Sequence, residues 1–145
     1  MALVSIQQLS ISWEAAHAAI HAAVIKAHAL GVNINVAVVD HTGLLVAFLR
    51  MPNAPLHSMD IAIDKAYTVA SFGLPTHQWT TALEHHSPAV RDGLLRRPRF
   101  VAFGGGLPIM HHGVMIGAIG VSGASEEQDQ TCAQAGLDQI ITLSD

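Results

Sequence analysis

The sequence predicts an α/β fold, in which helices pack on one antiparallel sheet of about five strands. Three observations lead to this prediction. The long helical stretches carry capping and stop signals, the apolar stretches between them are short, and neighbouring strands are joined by turns of two or three residues. Strands joined by such short turns must be antiparallel, because a parallel pair needs a long crossover. The helices then bury their apolar faces against the sheet.

The helices are delimited by residues that begin or end them. Residues 12–30 start with a serine that suits an N-cap, and Gly31 is placed to stop the helix. Residues 58–72 predict a second helix that also ends at a glycine, and residues 76–97 predict short helical pieces broken by proline and glycine. Residues 125–141 open with the Ser-x-x-Gln pattern of a capping box and predict the last helix.

The strands are predicted from short β-branched or apolar stretches. Residues 33–40 and 44–51 read as two strands around a three-residue turn. Residues 99–105 read as a third strand that ends in glycine, and residues 107–111 and 114–121 form a hairpin around a His-Gly turn. The five stretches together give the predicted sheet.

Composition limits the class of protein. The 145 residues are 50% hydrophobic and only 12% charged, and the mean hydropathy is +0.38. No stretch of about 18 residues is free of charged or strongly polar groups, so no membrane span is expected. The length fits a single domain, 1–145, and the apolar excess predicts surface buried between subunits of a homo-oligomer.

Charge and cysteine content exclude further classes. The net charge is −4 and the pI is near 6.2. The basic cluster Arg91, Arg96, Arg97 and Arg99 is too small for a nucleic-acid footprint, so no nucleic-acid partner is expected. Cys132 is the only cysteine, which excludes an intramolecular disulfide and favours a reducing compartment. The first residues lack the basic region of a signal peptide, so we expect a cytoplasmic protein.

More than half of the 12 glycines lie in residues 103–125. A nucleotide cradle is disfavoured there, because the stretch contains no lysine and Gly-x-Gly-x-x-Gly is not matched from Gly104. Instead, Gly117 and Gly120 remove side chains from a strand, which lets another backbone or a flat ligand approach closely. The three glycines before Pro108 can reverse the chain.

Three histidines share a face of the first helix. His17, His21 and His28 fall within about 40° of one another on a 3.6-residue helix. The same face is predicted to carry Trp13, Ile20 and Val24. The spacing of the first two histidines suits a metal pair, but the zincin glutamate is missing and two histidines are too few for structural zinc, so no metal site is predicted. Packing or surface histidines, and haem ligands, both remain open interpretations.

The chain resembles a known family in residues 36–51, 60–76 and 103–129, which contain D-K-A-Y-T, G-G-x-P and G-x-I-G-V-S-G. This set resembles the GlcG/HbpS family, also called the haem-degrading or DUF336 family, which includes the C-terminal domain of PduO-type proteins. The resemblance implies a profilin-like fold with a five-stranded antiparallel sheet and helices on both faces, and homo-oligomers. It covers only the accessory part of PduO-type proteins, so ATP-dependent corrinoid chemistry is not implied.

The resemblance also implies a function, because characterised relatives bind haem. We therefore expect an oligomeric cytoplasmic protein that binds haem, or a related tetrapyrrole, non-covalently. The helical-face argument assigns cofactor binding to His17, His21 and His28. If these do not ligate the iron, the alternatives are His57 and the pair at 111 and 112.

A small-metabolite enzyme or an accessory subunit is the alternative function. Its ligand-pocket candidates are Arg50, Asp64, Lys65, Tyr67, Gly104, Gly105, Gly106 and Pro108. In such a site a cation would hold a substrate carboxylate and a tuned Asp or Lys would move a proton. No Ser-His-Asp signature, cofactor fingerprint or complete metal set is present, so binding is favoured over catalysis and no catalytic residue is assigned.

Overall fold

The computed structural model describes residues 2–143, which form four strands and five helices. The strands are β1 (Asn35–Asp40), β2 (Leu45–Arg50), β3 (Gly106–His111) and β4 (Val114–Ser122). The helices are α1 (Trp13–Leu30), α2 (Ser58–Phe72), α3 (Trp79–Ala82), α4 (Pro88–Leu95) and α5 (Glu126–Ile141), with 3-10 turns at Thr76–Gln78 and Leu83–His85. No helix in this range is long and apolar enough to cross a membrane.

The sheet is antiparallel throughout, in the order β2-β1-β4-β3. Alternate residues of β1 point to opposite faces, as strand geometry requires. Val36 and Val38 pack in the core cluster with α1 and α5, whereas Val39 packs with Ala66 and Val69 of α2. The sheet is therefore covered on both faces, which confirms the predicted mixture of helices and antiparallel strands.

The prediction of five strands is wrong, because residues 99–105 form a loop. Two positions in it leave the extended region: Arg99 has φ +68° and Gly105 has φ +128°. The Val101 N–H donates to the Thr68 hydroxyl at 3.1 Å and the Gly104 N–H donates to Glu126 at 2.6 Å. These backbone donors are satisfied by side chains of α2 and α5, so this loop does not extend the sheet.

The helix ends are confirmed. The Ser12 side chain accepts from the N–H of Ala15, and Gly31 ends α1 in the left-handed conformation at φ +72°. Ser125 and Gln128 form both hydrogen bonds of the predicted capping box at the start of α5. Local capping chemistry thus sets these boundaries.

The buried face of α1 differs from the prediction. Its core-facing residues are Ala16, Ala19, Ile20, Ala23 and Ala27. Ile20 is therefore part of the core and does not share the histidine face as predicted, while Val24 is half-buried against the same core. The small alanine side chains let α1 lie close to its neighbours, and at Gly136 a Cβ would come within 3.0 Å of the Ala19 carbonyl oxygen.

Gly117 and Gly120 lie where backbones approach closely. A Cβ at Gly120 would overlap the Ala62 carbonyl oxygen of α2 and lie 2.7 Å from the Ala66 nitrogen. A Cβ at Gly117 would overlap the Val39 carbonyl oxygen. Gly120 therefore lets α2 pack closely on the sheet, whereas Gly117 avoids an overlap with the backbone of the neighbouring strand β1.

Candidate functional site

The histidines of α1 lie on its outward side. His17, His21 and His28 are all exposed, and Trp13 and Ile25 beside them are 70% and 56% exposed. We call these five residues the histidine face. The opposite side of α1 is buried in the core. The histidine face therefore presents imidazole nitrogens and apolar side chains together on the surface.

A shallow groove of about 390 Å³ runs beside the histidine face, between α1 and α5. His21 and Ile25 line it, together with Lys26 and Gln139. Its floor is formed by small residues of both helices, Ala22, Ala29 and Ala135. The groove places a cation next to an imidazole and an aliphatic side chain.

The histidine side chains of the described residues can be compared with what a metal ion and a haem each require. Within residues 2–143, no three His, Cys, Asp or Glu side chains are close enough together to hold a metal ion. Haem iron needs only one or two axial ligands from the protein, since the macrocycle supplies the other four. Exposed single histidines beside apolar surface fit that requirement.

A second histidine pair lies at the turn between β3 and β4. The ring centroids of His111 and His112 are 3.9 Å apart, and both residues line a crevice of about 630 Å³. The N-terminal segment, the start of α1, β4 and the C-terminal part of α5 with the residues after it complete this crevice through Leu9, Ser10, Ser12, Glu14, Ala15, Ile116, Ile140 and Leu143. His57 lies elsewhere, exposed at the start of α2.

Lys65 of α2 is fully buried. Its Nζ donates to the Val121 carbonyl oxygen at 2.7 Å and lies 3.2 Å from Asp129 Oδ2. Burial lowers the pKa of Lys65 and raises the pKa of Asp129, and the opposite charge of each partner opposes the other's shift. The Lys65 side chain is therefore held inside the fold by Val121 and Asp129.

Asp64 points away from Lys65, towards the surface. Its Oδ1 accepts from Arg99 Nε at 2.9 Å, and the Arg99 guanidinium lies 3.6 Å from the ring centroid of Tyr67. Two predicted site residues, Asp64 and Tyr67, are therefore joined by Arg99. Arg99 was predicted only as a member of the basic cluster, although the proline directly before it is a sequence signal for a turn.

The other predicted pocket residues do not form one site with Asp64 and Tyr67. Arg50 donates to the Ala54 carbonyl oxygen at 2.8 Å, and no hydrogen bond, ion pair or ring contact between described residues joins it to Asp64, Lys65 or Tyr67. A Cβ at Gly105 would lie 2.6 Å from Lys65 Nζ, so that glycine packs on the buried lysine.

The other glycines and the proline have structural neighbours. The Gly104 N–H donates to Glu126, and the Gly106 N–H donates to the Thr76 hydroxyl at 2.8 Å. Pro108 lies within β3 and pairs with Ala118 of β4. Among the described residues, Gly105 thus packs against Lys65 and not against Asp64 or Tyr67. Asp129, the partner of Lys65, was not predicted as a site residue.

The fold places the chain in a class of small α/β proteins with solved members. A Klebsiella pneumoniae protein, ORFY, of the DUF336 family, superimposes with a TM-score of 0.91 at 35% identity, over 99% of both chains. The structure described as a PduOC:heme complex gives a TM-score of 0.82 at 32% identity, over 90% of this chain and 95% of that one. An uncharacterised 15.0 kDa protein from the dhaT-dhaS intergenic region of Citrobacter freundii is 40% identical over 116 residues, covering 79% of this chain and 82% of that protein.

The family model described as "Haem degrading protein HbpS-like" matches residues 11–138. The chain belongs to this HbpS-like family, which confirms the resemblance read from the sequence motifs.

Proposed function

We propose that this protein is a cytoplasmic homo-oligomer that binds haem, or a related tetrapyrrole, non-covalently on the histidine face of α1. The observation that carries the proposal is the position of His17 and His21 beside Trp13 and Ile25 on an exposed helix surface. Membership of the HbpS-like family and the likeness to a PduOC:heme complex support it.

The chemistry of the histidine face fits the two parts of haem. A neutral imidazole ligates the iron, and the flat apolar macrocycle needs apolar surface such as that of Trp13 and Ile25. Lys26, in the groove beside His21, supplies a cation for a propionate. When bound, haem would supply an iron centre held by a side chain of α1.

Assembly would complete this site. An exposed helix face covers only one side of a macrocycle, whereas ligand sites usually bury most of the ligand surface. The N-terminal segment leaves Leu3, Val4, Ile6 and Leu9 between 51% and 104% exposed, which is apolar surface available to a second subunit. The two-faced α/β/α layering supports the profilin-like class that the family resemblance implies.

A haem titration read at the Soret band tests the proposal. We expect a saturable shift for the wild type, and at least a tenfold loss of affinity in one of His17→Ala, His21→Ala and His28→Ala. His85→Ala is the matched control, since this histidine is also exposed but lies after α3. Absorbance changes that never saturate would overturn haem binding itself.

A second set of variants tests the location. If the triple variant of His17, His21 and His28 binds like the wild type, the histidine face is not the ligand source. His111→Ala and His112→Ala would then be titrated, because both residues line the larger crevice. Retained binding in the triple variant would contradict the assignment to α1 while leaving haem binding intact.

The pH dependence gives an independent measurement. Only neutral imidazole ligates iron, so haem affinity should fall on acidification and return when the pH is restored. Affinity that stays constant from about pH 8 to 5 would indicate a ligand other than histidine.

Light scattering tests the assembly. The chain has a mass of 15.3 kDa, and we expect a multiple of it at micromolar concentration. A monomeric mass would contradict the homo-oligomer.

A further inference from the structure

The turn Arg97–Phe100 contains an arginine at a position that favours glycine. The Phe100 N–H donates to the Arg97 carbonyl oxygen at 3.4 Å, and Arg99 has φ +68°. With Pro98 at the second position, this matches a type II turn, whose third position strongly prefers glycine or asparagine. An arginine held in this conformation indicates that its side chain is needed there, because such strain concentrates at functional sites.

The backbone of Arg99 is held in place from α2. Its carbonyl oxygen lies 2.9 Å from the hydroxyl of Thr68, which is 1% exposed, and the same hydroxyl accepts from the Val101 N–H. This buried anchor fixes the direction in which the Arg99 side chain leaves the loop.

The guanidinium of Arg99 is also oriented. It stacks on Tyr67, and its Nε donates to Asp64. Among residues 2–143 it makes no other hydrogen bond, and its side chain is 44% exposed. The two terminal amino groups therefore remain as paired donors in a fixed plane, which is the geometry that a carboxylate accepts.

Arg99 lines a cavity of about 420 Å³ that is open to the surface. Two cations, Arg97 and Arg99, line it, and Phe72, Phe100 and Leu94 form apolar walls. No carboxylate is among the residues that line it, since Asp64, the partner of Arg99 Nε, is not a lining residue. The volume and the mixture of apolar walls with a few polar groups are typical of small-molecule sites.

We propose that this cavity binds a small organic monocarboxylate. The carboxylate accepts two hydrogen bonds from Arg99, and the apolar body of the ligand lies against Phe72 and Phe100. Arg97 adds a second positive charge at the rim. This site is separate from the histidine face and does not depend on haem binding.

Phenylacetate is the probe, and phenylacetamide is the neutral analogue of the same shape. Tyr67 is the only tyrosine of the chain, so its ring signals in the NMR spectrum report on the Arg99 guanidinium without ambiguity. We expect saturable shifts of these signals with phenylacetate and none with phenylacetamide. Absence of saturation with phenylacetate, or equal effects of both compounds, would overturn the proposal.

Arg99→Gly separates binding from folding. Glycine suits φ +68°, which offsets the loss of the contacts with Asp64 and Tyr67, so the melting temperature should stay close to that of the wild type. The phenylacetate affinity, read by calorimetry, should fall at least tenfold. Arg99→Lys keeps the charge but loses the paired donors and should bind with intermediate affinity. Arg91→Ala is the control from the same basic cluster, since Arg91 pairs with Asp92 and does not line the cavity.

Unchanged affinity in Arg99→Gly would overturn the assignment. Haem titration of Arg99→Gly should match the wild type, so failure of the carboxylate site and failure of the haem site are distinguishable.

Discussion

Lys65 and Asp129 form an ion pair with both side chains buried: Nζ lies 3.2 Å from Oδ2, and the side chains are 1% and 4% exposed. The pair joins α2 to α5, and the lysine also donates to the Val121 carbonyl oxygen of β4. The Phe103 ring lies against the lysine, with its centroid 5.0 Å from Nζ. Three separate elements are thus fixed at the ends of the sheet around one buried cation.

Removal of one partner should be costly. Asp129→Leu leaves the Lys65 ammonium buried without its counter-charge, so the free energy of unfolding should fall by about 3–5 kcal/mol in urea denaturation. The double variant Lys65→Met/Asp129→Leu should recover a large part of that loss, because neither charge is then buried. Recovery will be incomplete, since Asp129 also accepts from the Ala124 N–H at 3.0 Å.

The exposed pair Arg91–Asp92 is the control, and Arg91→Ala should change stability by less than about 1 kcal/mol. An equal loss in the single and the double variant would show that the cost comes from packing and not from an unpaired charge.

The sequence predicts local structure well where the signal is itself local. The ends of α1 and α5 follow from capping residues whose hydrogen bonds lie within four residues of one another. The strand predicted at 99–105 failed because its apolar residues resemble a strand, while its backbone partners come from distant side chains, Thr68 and Glu126.

In the candidate site, too, the sequence predicts what depends on neighbouring residues and not what depends on distant partners. Asp64 and Lys65 are neighbours in sequence and were predicted to share a pocket. Successive residues of a helix point about 100° apart, so Asp64 faces Arg99 at the surface and Lys65 enters the core. Their partners, Arg99 and Asp129, lie 35 and 64 residues further along the chain. No spacing pattern in one sequence identifies such partners.

Two glycine substitutions should change stability in opposite directions. Gly120→Ala places a Cβ against the backbone of α2, so the free energy of unfolding should fall by roughly 1–3 kcal/mol. Gly93 lies inside α4, and a Cβ there meets nothing within 4 Å. Gly93→Ala should therefore stabilise the protein by roughly 0.5–1 kcal/mol through helix propensity. Thermal unfolding of both variants and the wild type measures the two changes in stability. A Gly120→Ala protein as stable as the wild type would show that α2 can move away from β4.

Asp40 should contribute stability that depends on pH. Partial burial raises the pKa of Asp40. The hydrogen bonds that its carboxylate accepts from the Thr42 hydroxyl, the Thr42 N–H and the Leu44 N–H together lower the pKa by more, so it lies below its ordinary 3.8. A carboxyl with a depressed folded-state pKa contributes stability that is fully present above 3.8 and is lost as the pH falls through the folded value.

Asp40→Asn should therefore be less stable than the wild type at neutral pH, by about 1 kcal/mol, and the difference should shrink as the pH is lowered towards about 2. Urea denaturation at several pH values measures this. A difference in the free energy of unfolding between the two proteins that does not change with pH would contradict the role of the charge.

Cys132 should be inert in the native protein. Burial raises the pKa of this thiol to about 11, and the negative charge of Asp129 adds to the shift. Since the thiolate is the reactive form and the side chain is buried, Ellman's reagent at about pH 8 should react with it only when the chain opens.

The labelling rate of the wild type should therefore be slow and should rise in the destabilised Asp129→Leu variant, although that substitution also removes the neighbouring charge. Gly120→Ala is the matched control, because it destabilises the fold without altering a charge and should raise the rate for the same reason. Rapid labelling of the wild type under native conditions would show that Cys132 is accessible in the folded state.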